Sequence, residues 1–256
     1  MSIGTLYLVP APLDMGSAHP APLSTSLPDA TLRTAASLRC WICENAKTTR
    51  AYLKRIAELH PLPCPLQEMS LQQLPHQVHK HGDHRPDAAT DSAMRALLEP
   101  ALQGQDMGLI SEAGMPAIAD PGASVVRAAH TLGLPVVPLA GPVSLMLALA
   151  ASGLNGQNFA FVGYLPQDAA ARSARIRALE SHTHRSGQTQ ICIETPYRNA
   201  ALLQALLQTL QPGTRLSVSS GLTLDHAQTR SATVQQWRAQ GWALDADTPA
   251  VFVFGA

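Results

Sequence analysis

Short aliphatic runs that stop at proline or glycine recur along this chain, and they restrict its fold more than any other feature. Residues 5–9 end at Pro10 and Pro12, and 107–110 lead into SEAGMPAIADPG at 111–122. Residues 134–137 end in PLAGPVS at 138–144, 159–162 in Gly163-Tyr164-Leu165-Pro166, and 189–193 in Glu194-Thr195-Pro196-Tyr197-Arg198. Proline cannot donate to a ladder and glycine weakens it, so each run reads as a strand with a fixed end. Segments with 3.6-residue apolar periodicity lie between the runs, at 29–39, 47–59, 89–103, 121–132, 143–151, 169–182, 197–210 and 233–240. Further strands fall at Cys40–Cys43, 215–218 and 250–254. Strands that alternate with helices make an α/β protein. The Ser-Gly-Leu-Asn-Gly joint at 152–156 divides it into two α/β lobes, 1–152 and 153–256. Residues 14–28 and 60–88 read as irregular, without a core pattern.

Composition narrows the function. A 256-residue chain with 46% hydrophobic residues buries enough surface to need no staple. Its four cysteines are too sparse for a disulfide framework, which fits a reducing cytoplasm. No apolar stretch is long enough to span a membrane, and the N-terminus has no basic region that would open a signal peptide. The formal net charge is +0, so there is no chain-wide basic footprint for a nucleic acid. Any such contact needs local patches. Lys47, Arg50, Lys54 and Arg55 form one candidate patch, and Arg172, Arg175 and Arg177 a second.

Ligands of open α/β sheets sit beyond the carboxyl ends of strands. The five post-strand clusters would therefore line one rim and make a crevice from backbone more than from side chains. The pair Cys40 and Cys43 lies within a strand, not at a helix N-terminus where a thiolate is stabilised. His76, His79, His81 and His84 lack partnering cysteines at finger spacing, so no metal is expected. Trp237 and Trp242 flank a helix and read as core or rim.

The ordered set VPAPL, SEAGMPAIADPG, PLAGPVS, LAASGL, FVGYLP and ETPYR resembles the tetrapyrrole methylase superfamily. Within it the chain is most similar to the subfamily that 2′-O-methylates a cytidine of bacterial small-subunit ribosomal RNA. The resemblance implies two α/β lobes with S-adenosylmethionine in the cleft between them, and a homodimer. It assigns cofactor binding to Pro12, Gly114, Met115, Ile118, Val143, Ser144, Ile193, Glu194, Leu222 and Ala250. A hydroxyl acceptor needs a group to take its proton. Glu44 is the first candidate and Glu112 the second, with Arg50 to hold a phosphate or Glu44. Arg198 reads equally as an internal ion-pair residue or a substrate clamp.

The chain departs from the subfamily in three places. Glu-Asp-Thr-Arg becomes Glu44-Asn45, with the Thr and Arg displaced towards Thr49 and Arg50. Arg-Glu-Leu-Thr-Lys becomes Ser219-Ser220-Gly221-Leu222-Thr223-Leu224, and His81-Gly82-Asp83-His84 does not match the subfamily's acidic segment. The acceptor therefore stays open. It is the ribose of ribosomal RNA in the small subunit, or a small molecule or protein side chain. A non-catalytic cofactor-binding protein is the third reading.

Overall fold

All strands of the first sheet run in one direction. The structure is a computed structural model and describes residues 3–14, 20–75, 88–242 and 244–256. It divides into two units, Met1–Val143 and Ser144–Ala256. The first holds strands β1 (Leu6–Leu8), β2 (Cys40–Cys43), β3 (Ser70–Gln73), β4 (Met107–Ile110) and β5 (Val136–Pro138), all parallel, in the order β3-β2-β4-β1-β5. Its helices are α1 (Asp29–Ser37), α2 (Ala46–Ala57), α3 (Ala88–Leu97), α4 (Glu99–Leu102) and α5 (Ala123–Thr131). Strands β2 and β4 are buried on both faces, which is why CWIC and MGLI read as unbroken apolar runs. Leu32, Leu53 and Ile56 build the core on one side, with Met94, Leu98, Val125 and Ala129 in the core on the other.

Trp41 on β2 lies directly opposite Gly108 on β4, and its buried ring fills the space a side chain there would take. A Cβ on Gly108 would stand 2.6 Å from the ring. This close approach explains a glycine inside a central strand.

The second unit is a mixed sheet. Its elements are α6 (Ser144–Ser152), β6 (Phe159–Tyr164), α7 (Ala169–Ser186), β7 (Thr189–Ile193), α8 (Asn199–Thr209), β8 (Arg215–Ser220), β9 (Gln228–Thr233), α9 (Val234–Gln240) and β10 (Ala250–Gly255). The order is β6-β7-β10-β8-β9, and only β6 and β7 run parallel. Helices α7, α8 and α9 bring Ile176, Leu179, Leu202, Leu206 and Trp237 onto one core. The last strand, β10, is central and buried throughout.

Several expectations change. Helix α6 packs on β8, β9 and β10, and Ser231 donates to the Ser152 carbonyl at 2.6 Å, so this helix belongs with the second unit. The units therefore meet at 143/144 rather than at the expected joint at 152/153. The expected helix at 89–103 breaks at Leu98, because Pro100 removes an N–H at the start of α4. Within the stretch expected to carry no core pattern, Leu23 and Leu27 are buried. Strands β3 and β9 were not expected from sequence. Of the five post-strand clusters, three end strands of the first sheet and two end strands of the second. Cys40 and Cys43 are three apart on one strand, so they face opposite sides and cannot pair. The four histidines at 76, 79, 81 and 84 lie outside the described residues.

Gly108→Ala tests the fit against Trp41. Overpacking of this kind costs about 1–3 kcal/mol. A urea titration followed by circular dichroism should show a lower midpoint, and an unchanged midpoint would contradict the close approach.

Candidate functional site

The two strands at the centre of the first sheet send the chain in opposite directions. From β1 the chain crosses to β2 on one side, and from β4 it crosses to β5 on the other. Strands β1 and β4 are neighbours, so their carboxyl ends bound the crevice where such sheets take ligands. A two-bond bridge spans it. The Ala11 N–H donates to the Gly114 carbonyl at 2.9 Å, and the Gly114 N–H donates back to Ala11 at 3.1 Å. Gly114 has φ +69°, a left-handed conformation that glycine adopts without strain. Ala117 and Ala119 also take φ 65°, at a cost of about 1–2 kcal/mol each. Strain of this kind concentrates at ligand sites.

Two cavities adjoin this loop. The larger, about 670 Å³, has a mostly apolar wall that includes Leu8, Met115, Ile118, Val126, Pro138 and Val143. It brings three expected cofactor residues together: Met115, Ile118 and Val143. The smaller, about 170 Å³, lies against α2 and includes Pro12, Thr48, Tyr52, Arg55, Ser111 and Glu112. The Tyr52 hydroxyl donates to the Pro10 carbonyl at 3.1 Å, and burial pushes its pKa up. Arg55 pairs with Asp14 at 2.6 Å and also donates to the Ala21 carbonyl, so it serves the fold. Arg50 is exposed on α2 and does not line this cavity.

A group of acids stands at the same rim. The Glu112 N–H donates to the Glu44 carboxylate at 3.3 Å. Asn45 caps α2 by accepting from the Lys47 N–H at 2.9 Å, while its Nδ2 donates to the Glu112 carboxylate at 3.1 Å. An aspartate here would cap the helix equally well but could not donate, and it would add another negative charge beside Glu112. Asn45 is thus suited to this acidic surrounding. Asp120 is pushed up to about 7, first by burial and then by the charges of Glu44 and Glu112. The sequence named Asp120 only as part of a loop motif. Its shift depends on carboxylates brought close by the fold, and no local pattern announces that.

In the second unit, Ile193 pairs with Val251, and Ala250 pairs with Ser220. The Gly221 N–H donates to the Pro249 carbonyl at 3.1 Å. Ile193, Glu194, Leu222 and Ala250 therefore gather at one end of that sheet, whereas Ser144 opens α6. Glu194 accepts from the Thr195 N–H at 2.9 Å and pairs with Arg198 at 3.1 Å, so Arg198 has an internal ion pair. Asn199, missed from sequence, donates to the Thr248 carbonyl at 3.1 Å, and its buried Oδ1 has no partner among the described residues. Trp237 is buried and donates to the Leu216 carbonyl at 2.7 Å, with Trp242 at 5.3 Å from it.

Asp120→Asn tests the acid group. An acid whose folded pKa is raised stabilises fully below its unfolded value of 3.8, and loses that contribution as pH rises towards 7. Replacing it should therefore stabilise the protein at pH 8 by on the order of 1–3 kcal/mol relative to the same comparison at pH 4. Urea titrations at both pH values read the difference. Equal effects at pH 4 and pH 8 would contradict the raised pKa.

A sequence profile for the tetrapyrrole (corrin/porphyrin) methylases matches residues 30–237. The ribosomal RNA small subunit methyltransferase I of Pseudomonas aeruginosa is 32% identical over 206 residues, 80% of this chain and 61% of that protein. The chain thus spans about three-fifths of that relative's length. The protein of the same name from Mesorhizobium japonicum is 31% identical over 248 residues, 95% of this chain and 71% of that one. Among solved structures, the methyltransferase CobJ superposes with a TM-score of 0.55 at 16% identity, covering 98% of this chain and 94% of CobJ, which shows a shared fold. The extent of the profile match decides the family: this chain belongs to the tetrapyrrole (corrin/porphyrin) methylases.

Proposed function

We propose that this chain is an S-adenosylmethionine-dependent methyltransferase acting on a ribose 2′-hydroxyl of small-subunit ribosomal RNA. The observation that carries the cofactor reading is the large apolar cavity beside the switch point, walled by Met115, Ile118 and Val143. Its volume, about 670 Å³, falls in the usual range for small-molecule sites. The RNA reading is supported by the names of the relatives, ribosomal RNA small subunit methyltransferase I.

The residues fit that cofactor chemically. Pro12 and Gly114 offer a backbone surface at the switch point, and the acids Glu44, Glu112 and Asp120 suit a ligand of net positive charge. In this proposal Ser144, Ile193, Glu194, Leu222 and Ala250 are the cofactor residues of the second unit. The bound cofactor supplies a methyl group on a sulfonium, whose departure leaves a neutral thioether. Positioning then provides much of the rate. The protein must also take the proton of the ribose hydroxyl, and a base works best with a pKa near the working pH. We assign this to Glu44, which accepts from the Glu112 N–H at 3.3 Å on the same rim. Arg50, exposed one turn into α2, is assigned to a substrate phosphate.

The proposal includes a cytoplasmic homodimer. No helix among the described residues is long and apolar enough to cross a membrane. Met146 and Leu147 on α6 and Phe159 and Phe161 on β6 stand exposed, and a second copy would cover such side chains.

One set of experiments tests the reading. Tritium from labelled cofactor should enter small-subunit ribosomal RNA when the protein is added to extracts of a deletion strain. S-adenosylhomocysteine at 100 times its Kd should stabilise the protein by about 2.7 kcal/mol. Glu44→Gln should lower turnover by about 100-fold or more and keep that ligand's affinity. Light scattering should give twice 27.1 kDa. Label in protein or small molecules alone would replace the RNA acceptor, and absence of any ligand-induced stabilisation would remove the cofactor reading.

A further inference from the structure

Helix α7 carries Arg172, Arg175, Arg177 and Arg185, together with His182 and His184. Its only acid, Glu180, is buried. The Glu180 carboxylate accepts from the Gln211 N–H at 2.8 Å and from the Thr214 hydroxyl. It ties down the loop after α8 and is almost wholly buried. Ile176, Leu179 and Thr183 complete the buried face, while Arg175, Arg177, His182, His184 and Arg185 are exposed.

These arginines differ from others in the molecule. Arg33, Arg55, Arg127 and Arg198 each have a carboxylate partner. Among the described residues, no ion pair is formed by Arg172, Arg175, Arg177 or Arg185. The Arg172 Nε is buried without an acceptor among those residues. Arg172 lies at the end of the first turn, where the backbone dipole disfavours a cation, whereas Arg185 lies in the last turn, where it favours one. Arg172 and Arg175 stand at i,i+3, where like charges repel by a few tenths of a kcal/mol. The second unit has no lysine, so its permanent cations are all arginine, the side chain suited to forked contact with phosphate oxygens.

The helix also has a place for such a ligand. Arg177, Ser181 and His184 fall at i, i+4 and i+7 and so share one side of α7. With Arg185, Thr209, Gln211 and the buried Glu180 they wall an open groove of about 510 Å³ between α7 and the end of α8, in which Arg185 donates to the Ser181 hydroxyl at 2.6 Å. Its exposed side chains are cations and neutral hydrogen-bonding groups.

We propose that this groove on α7 is the docking surface for the phosphate backbone of the RNA substrate. Arg177 and Arg185 supply the charge, with His184 and Ser181 between them. The inference rests on the RNA reading above. It adds that affinity for the RNA comes in part from the second unit.

Fluorescence anisotropy with a labelled small-subunit ribosomal RNA fragment, between 50 and 200 mM salt, tests it. The wild-type protein should bind with an affinity that falls linearly in log[salt]. Each phosphate contact contributes a slope of about 0.7–0.9. Arg177→Ala/Arg185→Ala should weaken binding about 10-fold or more at low salt and flatten the slope by about 1.5. Its calorimetric affinity for S-adenosylhomocysteine and its melting temperature should stay at the wild-type values. Arg33→Ala, which removes a cation already paired with Asp29, should bind RNA as the wild type does. If the double variant keeps the wild-type affinity and slope, the groove is overturned and the RNA reading stands. If the wild-type protein shows no salt-dependent RNA binding, both fall.

Discussion

The two hydrogen bonds between Ala11 and Gly114 are the constraint on which the rest of the site depends. They join the chain just past β1 to the chain just past β4, where the crossovers part. A left-handed residue at 114 lets the loop turn back to make this bridge, and glycine is the residue that does so without strain. Once the loop is held, Met115 and Ile118 take their places on the wall of the apolar cavity, and Glu112 meets Glu44 and Asn45. Backbone position thus fixes the apolar surface and the acidic rim together.

Charge is distributed unevenly in a chain whose formal net charge is +0. Acids collect at the carboxyl rim of the first sheet, where Asp120 feels both Glu44 and Glu112. Cations collect on α7, where the one acid is buried and bonded. A whole-chain average conceals both. The departure at Asn45 belongs to this pattern, because the amide both caps a helix and donates to Glu112.

Much of the fold was legible because parallel central strands are apolar on both faces. MGLI and CWIC announce themselves, and proline or glycine marks where strands such as β1 and β4 end. The missed strands are polar edge strands. SLQQ in β3 and QTRSAT in β9 take their place from their neighbours β2 and β8, not from burial of their own. Leu23 and Leu27 were hidden in a Pro/Ser-rich stretch because a short 3-10 turn, not a periodic helix, presents them to the core. The loop 111–122 was legible as the connection that follows β4 through its small residues. The pairing of Arg55 with Asp14 was not, since it joins residues far apart in sequence.

The claim that backbone at the switch point holds the cofactor is tested most directly by hydrogen exchange with and without S-adenosylhomocysteine. Amides of 11–14, 112–119 and 142–145 should become protected when the ligand binds, with little change along α7. Calorimetric binding without protection in those three segments would contradict the account.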